Sequence, residues 1–213
     1  MFASAHGLPI SFKGPQDAAA AGIGTVYQDL AVNRLMSVSR NFFMGRELTV
    51  GLRVLGILDL ERMNGIAKAE MRKIGNSASD PRQKAGTMSS GQRQTLAISR
   101  AIYFGAKVLI LDEPTSALGQ KQQMEVLKTM MRVRARGDIA IIFITHNEIH
   151  AQLVADRFTF LSLGEVIGAG TKADLAGQEI RHLMAGGAEM ADLEEEISAI
   201  GPTAALLRPG ARP

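Results

Sequence analysis

The stretch KVLILDEPTSAL, residues 107–118, places two adjacent carboxylates directly after an apolar segment. Asp112 and Glu113 follow four apolar residues, and Pro114 ends the extended run because proline lacks the N–H that a sheet needs. A continuous apolar run is typical of a strand buried in a parallel sheet. Carboxylates at the carboxyl end of such a strand are costly to desolvate unless they bind a cation or a proton. The stretch therefore predicts a buried strand that ends in a chemically active acidic pair.

The composition of the chain suits one globular domain, with or without an appendage. The 213 residues are 46% hydrophobic, and no segment approaches the ~18 to 20 apolar residues that cross a bilayer. The absence of cysteine excludes disulfides, thiolate metal sites and a cysteine nucleophile, and it suits a reducing cytosol. The net charge is +3, but lysines and arginines are scattered, which favours an ordinary solvated surface over a nucleic-acid interface.

Apolar strands alternate with helices through most of the chain, which indicates a parallel sheet covered on both faces. Strands are predicted over 107–112 and 139–144, with a helix between them at about 120–136. A further helix, SSGQRQTLAISRAIYFG, begins at a serine and ends at Gly105. Ser37 is the predicted N-cap of a helical turn, SVSRNFFMG, that ends at Gly45. Asp59 is the predicted N-cap of another helix, whose apolar face carries Leu60, Met63, Ile66, Ala67, Met71 and Ile74 at helical spacing.

Four polar residues stand at the carboxyl ends of three predicted strands, the edge where parallel sheets bind ligands. Beside Asp112 and Glu113, His146 closes IIFITH and Gln28 follows the small strand GTVY. Taken singly, His146 and Gln28 are more simply explained as strand ends that emerge into water. Together the four predict one rim, where Asp112 holds Mg²⁺, Glu113 polarises a water for attack on phosphorus and His146 senses or stabilises a γ-phosphate.

Several segments resemble the motifs of ABC-transporter ATPases, and they occur in the order of that family. TMSSGQRQTLAISRAIYFGAKVLILDEPTSAL resembles the block from the signature to the Walker B strand, FITHN the switch histidine and VYQD the Q-loop. GIGTVYQDLAV, FFMGREL and AIYFGAKVLILDEPTSALG are similar to ATPases that serve ribose-, xylose- or fructose-type permeases. The resemblance covers roughly residues 9–187.

The resemblance implies an α/β fold: a P-loop NTPase-like ABC ATPase core with a mainly parallel sheet and a helical subdomain. The partial ATPase domain is expected over 1–187, with the helical subdomain at about 37–104. Residues 188–213, which are acidic and then rich in proline, glycine and alanine, are expected to form a flexible tail.

The resemblance also implies roles for individual residues, with ATP and Mg²⁺ as cofactors. Glu113 and His146 are the expected catalytic residues, and Asp112 and Gln28 the expected metal ligands. The expected nucleotide-binding residues are Gln28, Ser89, Gly91 and Gln92, of which Ser89 and Gly91 face the γ-phosphate held by an opposing subunit. Two residues depart from the family pattern: Ser90 replaces the usual first glycine of the signature, and Gly119 stands where many relatives carry aspartate.

The partners implied by the resemblance are membrane permease subunits, a second ATPase subunit in a homo- or heterodimer and, indirectly, a sugar-binding protein. No nucleic-acid partner is expected. The chain is expected to be cytoplasmic and peripheral on the inner face of the cell membrane. The permease contact is expected around Gln28 and residues 29–45.

The phosphate-binding loop G-x-x-x-x-G-K-[ST] has no counterpart in the sequence, which contains no Gly-Lys pair. We therefore expect the chain to be truncated at its N-terminus, without this loop, its strand and the aromatic residue that stacks on adenine. Losing charge-assisted hydrogen bonds worth roughly 1.5 to 3 kcal/mol each leaves an expected ATP affinity of about millimolar or weaker. Little or no hydrolysis is expected from the isolated chain.

Two alternatives to a sugar importer subunit remain at the level of sequence. One is a catalytically inactive truncated ABC ATPase, which has the same fold. The other is a nucleic-acid-associated ABC ATPase, and the compact motif spacing, the absence of cysteine and the lack of basic tracts count against it.

Overall fold

A computed structural model of the chain describes residues 4–5, 8–9, 11–51, 56–76, 80–175 and 177–184. The chain divides into two compact units, Met1–Thr145 and His146–Pro213. The predicted tail, residues 188–213, lies outside the described residues. The predicted domain limits, at residue 187 and at about 37–104, remain predictions.

The first unit holds five strands and five α-helices in its described part. The strands are β1 (Ser4–Ala5), β2 (Leu8–Pro9), β3 (Ile23–Val26), β4 (Val108–Asp112) and β5 (Ala140–Ile144). The longer helices are α3 (Leu60–Lys73), α4 (Ser90–Tyr103) and α5 (Gln120–Ala135), and the shorter ones are α1 (Pro15–Ala20) and α2 (Val38–Phe42). The sequence therefore predicted the elements around residues 107–112, 120–136 and 139–144 to within one residue at each end.

A three-stranded parallel sheet forms the centre of this unit, in the order β3-β4-β5. Ile110 pairs with Thr25 on one side and with Ile142 on the other, so all three strands run in register. All three carboxyl ends therefore lie at one edge of the sheet, as the sequence predicted. β1 and β2 form a separate antiparallel pair.

The two faces of the sheet differ in burial. Leu109 and Leu111 are fully buried, and α4 packs so closely on β3 that a Cβ on Gly24 would lie 3.2 Å from the Cβ of Ala101. On β5, by contrast, Ile142 and Ile144 are 50% and 48% exposed. The sequence predicted that both faces of the sheet are covered. This prediction is wrong for the face of β5 that carries these two isoleucines.

A helical layer contributes the apolar cluster of α2, α3 and α4. Its fully buried members include Val38, Phe42, Phe43, Met63 and Ala67, and Tyr103 and Phe104 pack against them. Side chains fix where two of the helices begin, because Ser37 Oγ accepts from the N–H of Arg40, and Asp59 Oδ1 from that of Arg62. The predicted caps of both helices are confirmed.

The second unit holds α6 (Glu148–Val154), the antiparallel hairpin of β6 (Arg157–Ser162) and β7 (Glu165–Thr171), and α7 (Gly177–Met184). The hairpin turns at Leu163 and Gly164, which both have positive φ, as in a type I′ turn. A small core joins these elements through Ala151, Phe158, Phe160 and Ile180. No helix among the residues described is long and apolar enough to cross a membrane.

Candidate functional site

The acidic pair stands at the carboxyl end of β4, where the backbone turns sharply. Asp112 ends the strand opposite Ile144, and Glu113 adopts φ 45°. Its N–H donates to the carbonyl of Ile144 at 3.0 Å, and its carbonyl accepts from the N–H of Ser116 at 3.0 Å and from the hydroxyl at 2.8 Å. Left-handed backbone at a residue other than glycine costs about 1 to 3 kcal/mol, and such strain is concentrated at functional sites.

A polar cavity of about 340 Å³ opens beside this turn. It brings together residues from the end of β3, the start of α4 and the turn after β4, so that three separate predicted motifs meet. Its polar lining consists of Gln28, Asp29, Arg34, Ser90, Arg93, Gln94, Glu113 and Ser116. The structure thus places Gln28 and Glu113 on one cavity. Asp112 lies one residue away and is not part of the lining.

The predicted signature residues form the first turn of α4. Ser89 is the N-cap: its Oγ accepts from the N–H of Gln92 at 3.2 Å, and its own N–H donates to Gln92 Oε1 at 2.8 Å. Gly91 is buried against α5, where an added Cβ would lie 3.3 Å from the Cβ of Gln122. These contacts give Ser89, Gln92 and Gly91 structural roles in addition to the nucleotide contacts predicted for them.

Arginine and glutamine side chains that the motifs did not reveal also line the cavity. Arg93 donates to Ser90 Oγ at 3.1 Å and to the carbonyl of Met88. Burial, and then the positive charge of Arg34, lower the pKa of Arg93. Gln94 is 4% exposed, and its Nε2 has no hydrogen-bond partner in the described part of the chain. The cavity is therefore rich in hydrogen-bond donors.

His146 is the first residue of the second unit, and its side chain is exposed. It precedes Asn147, which caps α6 by accepting from the N–H of His150 at 3.0 Å. The predicted proximity of His146 to Glu113 remains a prediction.

The oxygen donors at this edge fit a magnesium ion that is bound together with phosphate. No group of three or more His, Asp or Glu side chains that could hold a metal ion occurs among the described residues. Mg²⁺ commonly binds one or two protein oxygens, with phosphate and water as its other ligands. A carboxylate from Asp112 and an amide oxygen from Gln28 are donors of that kind.

Ser89→Ala is expected to lower the free energy of unfolding by about 1 kcal/mol, because alanine cannot cap α4. Ser89→Asp is expected to keep most of that stability, since aspartate is also a good N-cap. Urea unfolding followed by circular dichroism measures both changes. Equal losses in the two variants would show that the cap does not stabilise α4.

The fold and the site together define an α/β domain of the nucleotide-binding kind, with polar groups gathered beyond the carboxyl ends of parallel strands. A crystal structure of the ADP conformation of MJ1267, an ATP-binding cassette of an ABC transporter, shares this fold with a TM-score of 0.65. That match covers 84% of this chain and 70% of the other at 20% identity. The model of the ABC transporter family matches residues 8–116. The chain belongs to this family.

Among curated proteins, the fructose import ATP-binding protein FrcA of Rhizobium meliloti is 42% identical over 75% of this chain and 62% of its own length. The xylose/arabinose import ATP-binding protein XylG of Sulfolobus acidocaldarius is 34% identical over 84% of this chain and 69% of its own. For the ribose import ATP-binding protein RbsA of Geobacillus kaustophilus, the values are 31%, 85% and 36%. The chain therefore spans about a third to two thirds of the length of these relatives.

Proposed function

We propose that the chain is an ATP-binding part of a carbohydrate ABC importer, in which ATP hydrolysis drives sugar uptake through a membrane permease. The observation that carries this proposal is that Gln28, Ser90 and Glu113, which belong to three different motifs, line the same cavity. Relatives named for fructose, xylose/arabinose and ribose import support the substrate class. A sugar-binding protein then acts upstream of the permease and does not contact this chain.

In the proposed role, Glu113 accepts a proton from the attacking water, because it lines the cavity from a fixed backbone turn. Asp112 and Gln28 would hold the magnesium ion, which when bound neutralises charge on the phosphates. His146 would contact the γ-phosphate. This part of the site supplies the base and metal ligands, while positioning of the phosphates supplies most of the rate.

The signature residues are proposed to serve a second ATPase subunit. Ser89 Oγ accepts a hydrogen bond from Gln92 and keeps its own O–H available for donation. The first N–H groups of α4 add positive partial charge at the same place. Without a Gly-Lys pair of its own, the 213-residue chain is proposed to contribute to a partner's nucleotide more effectively than it binds one itself. The alternative, an inactive ATPase, differs in lacking turnover even inside the complex.

The permease contact is proposed at the segment 29–45, which follows the Gln28 strand end. Leu35 in this segment is 81% exposed, although large apolar side chains are favourable to bury. Val32, three residues before it, and Met36, the next residue, are partly buried. The segment thus presents an apolar side chain on a well-packed support.

A cysteine at Leu35 is expected to crosslink to a sugar permease co-expressed with the chain. The chain has no natural cysteine, so Leu35→Cys provides a single point of attachment for a short bifunctional thiol reagent. Membranes from cells that express both proteins are treated with the reagent, and the product is identified by mass spectrometry.

Lys128→Cys, at an exposed position on α5, is the matched control and is expected to give no permease product. Crosslinking confined to a cysteine in residues 188–213 would contradict the proposed contact. No permease product from any position would count against the importer function itself.

A further inference from the structure

β5 is an edge strand of the three-stranded sheet in the first unit. Among the described residues it pairs with β4 on one side and with no strand on the other. The N–H of Ala140 and the carbonyl of Ile144 bond to residues that flank β4, at 2.9 and 3.0 Å, so these groups point toward β4. Because backbone groups alternate in direction along a strand, those of Ile141 and Phe143 point to the open edge.

The open edge of β5 lacks the features by which proteins prevent edge-to-edge pairing. Such features are charged or proline residues on the edge strand and bulges that twist it away. β5 reads AIIFI, without charge or proline, and it pairs with β4 in unbroken register. Ile142 and Ile144 are half-exposed on one face of it. β5 therefore offers both backbone groups and apolar side chains to another strand.

The strand that fits this edge most directly is β5 of a second copy. Two identical strands that run antiparallel about a two-fold axis present the same bonding pattern to each other, so each copy supplies what the other needs. A parallel pair has no such symmetry, because its slanted bonds give the two strands different partners. The antiparallel arrangement also sends the two copies of Asp138, the acidic residue just before β5, to opposite ends of the strand pair, where they do not repel each other.

We propose that two copies of the chain associate by pairing their β5 edges antiparallel, about a two-fold axis at Ile142. Ile141 of each copy then forms a hydrogen-bonded pair with Phe143 of the other, which uses the outward backbone groups of both residues. Ile142 lies opposite its own copy, in a pair without direct hydrogen bonds, where side chains approach most closely. Two three-stranded sheets become one sheet of six strands, and the association does not depend on the importer function.

Analytical ultracentrifugation over a range of protein concentrations measures this association. Pairing of one strand buries less than the roughly 1,200 Å² of a standard interface, so we expect a reversible dimer that forms as the concentration rises. Ile142→Lys places two like charges directly opposite each other on an apolar contact, and it is expected to weaken the dimer at least about tenfold. Ile142→Thr, an uncharged and β-branched control, is expected to weaken it by less than about threefold. Circular dichroism checks that both variants keep the fold.

Cysteine substitutions test the register, because the chain has no natural cysteine. In Ile142→Cys the two Cα atoms across the axis lie about 4.5 Å apart, a distance that a disulfide spans, so mild oxidation is expected to give mostly covalent dimer. Ile144→Cys is the matched control, on the same face and with nearly the same exposure. Its two Cα atoms are offset by about 13 Å along the strands, so at least about tenfold less covalent dimer is expected. The double variant Ala140→Cys/Ile144→Cys is expected to restore the dimer, since these positions lie opposite each other.

Three results would overturn the pairing of β5 edges. The first is a chain that stays monomeric at every concentration and also fails to crosslink through Ile142→Cys. The second is equal crosslinking of Ile142→Cys and Ile144→Cys, which indicates random collision or another register. The third is association that Ile142→Lys leaves unchanged, or particles larger than a dimer, because either places the contact elsewhere on the molecule.

Discussion

Glu113→Gln is expected to reduce ATP hydrolysis by a factor of about one hundred or more in a chain that also carries a phosphate-binding loop. Glutamine keeps the shape of the side chain and the backbone turn, but it cannot accept a proton from water. The contribution of a positioned general base is typically of this size. ATP binding is expected to persist, since the substitution leaves the donors around the cavity in place.

The assay is phosphate release with Mg²⁺ and ATP from a fusion that supplies the Gly-Lys loop segment of a sugar-importer relative before residue 11. Glu125→Gln, an exposed carboxylate on α5 outside the cavity, is the matched control and is expected to leave turnover unchanged. The unfused 213-residue chain is expected to show little or no release. Robust release by the unfused chain that disappears in Glu113→Gln would show that its own residues form a phosphate cradle.

Phe42→Ala is expected to lower the free energy of unfolding by about 4 kcal/mol. The Phe42 side chain is fully buried, with its ring centre 5.2 Å from that of Phe43, 5.3 Å from Tyr103 and 6.2 Å from Phe104. Alanine removes the ring contacts and leaves a cavity between α2 and α4. The loss is a large part of the roughly 5 to 15 kcal/mol by which a domain is stable.

Urea unfolding followed by far-ultraviolet circular dichroism suits this test, because the chain contains no tryptophan to report by fluorescence. Leu35→Ala is the control at an exposed apolar position, with an expected change within about 0.5 kcal/mol. Phe42→Leu is expected to lose less than Phe42→Ala because it fills most of the space. A loss below about 1 kcal/mol for Phe42→Ala would mean that the helical layer closes over the gap without cost.

Sequence reasoning succeeded where the signal is local. The strand β4 follows from a continuous apolar run, and the beginnings of α2, α3 and α4 follow from Ser37, Asp59 and Ser89, whose side chains bond to N–H groups three residues later. Leu60 was predicted on the buried face of α3, yet it is 49% exposed. It is the first residue of the helix, so its side chain projects beyond the turn that covers Met63.

The cavity beside Glu113 was only partly predictable. Gln28 and Glu113 could be predicted to lie at the site because the carboxyl ends of parallel strands meet at one edge of the sheet. Arg34 belongs to no motif, and Arg93 and Gln94, although they lie inside the signature block, were given no role in the site. They line one cavity with Arg34 because the loop after β3 folds back toward the start of α4. Of these, Arg93 had one local signal, since residues three apart on a helix are neighbours and Ser90 is its hydrogen-bond partner. The positive φ of Glu113 depends on β5, whose Ile144 carbonyl fixes the turn.

The half-exposed row of Ile142 and Ile144 on β5 bears on the survival of the chain in a cell. Apolar residues displayed on a strand are the surface that chaperones and proteases recognise, and they also promote self-association. Protein molecules in which a partner covers these two side chains are therefore degraded more slowly than molecules in which the side chains are exposed, because proteases act on the accessible form. We expect the abundance of the protein to follow that of whatever covers the row, so that quality control, rather than synthesis alone, sets how much of it accumulates.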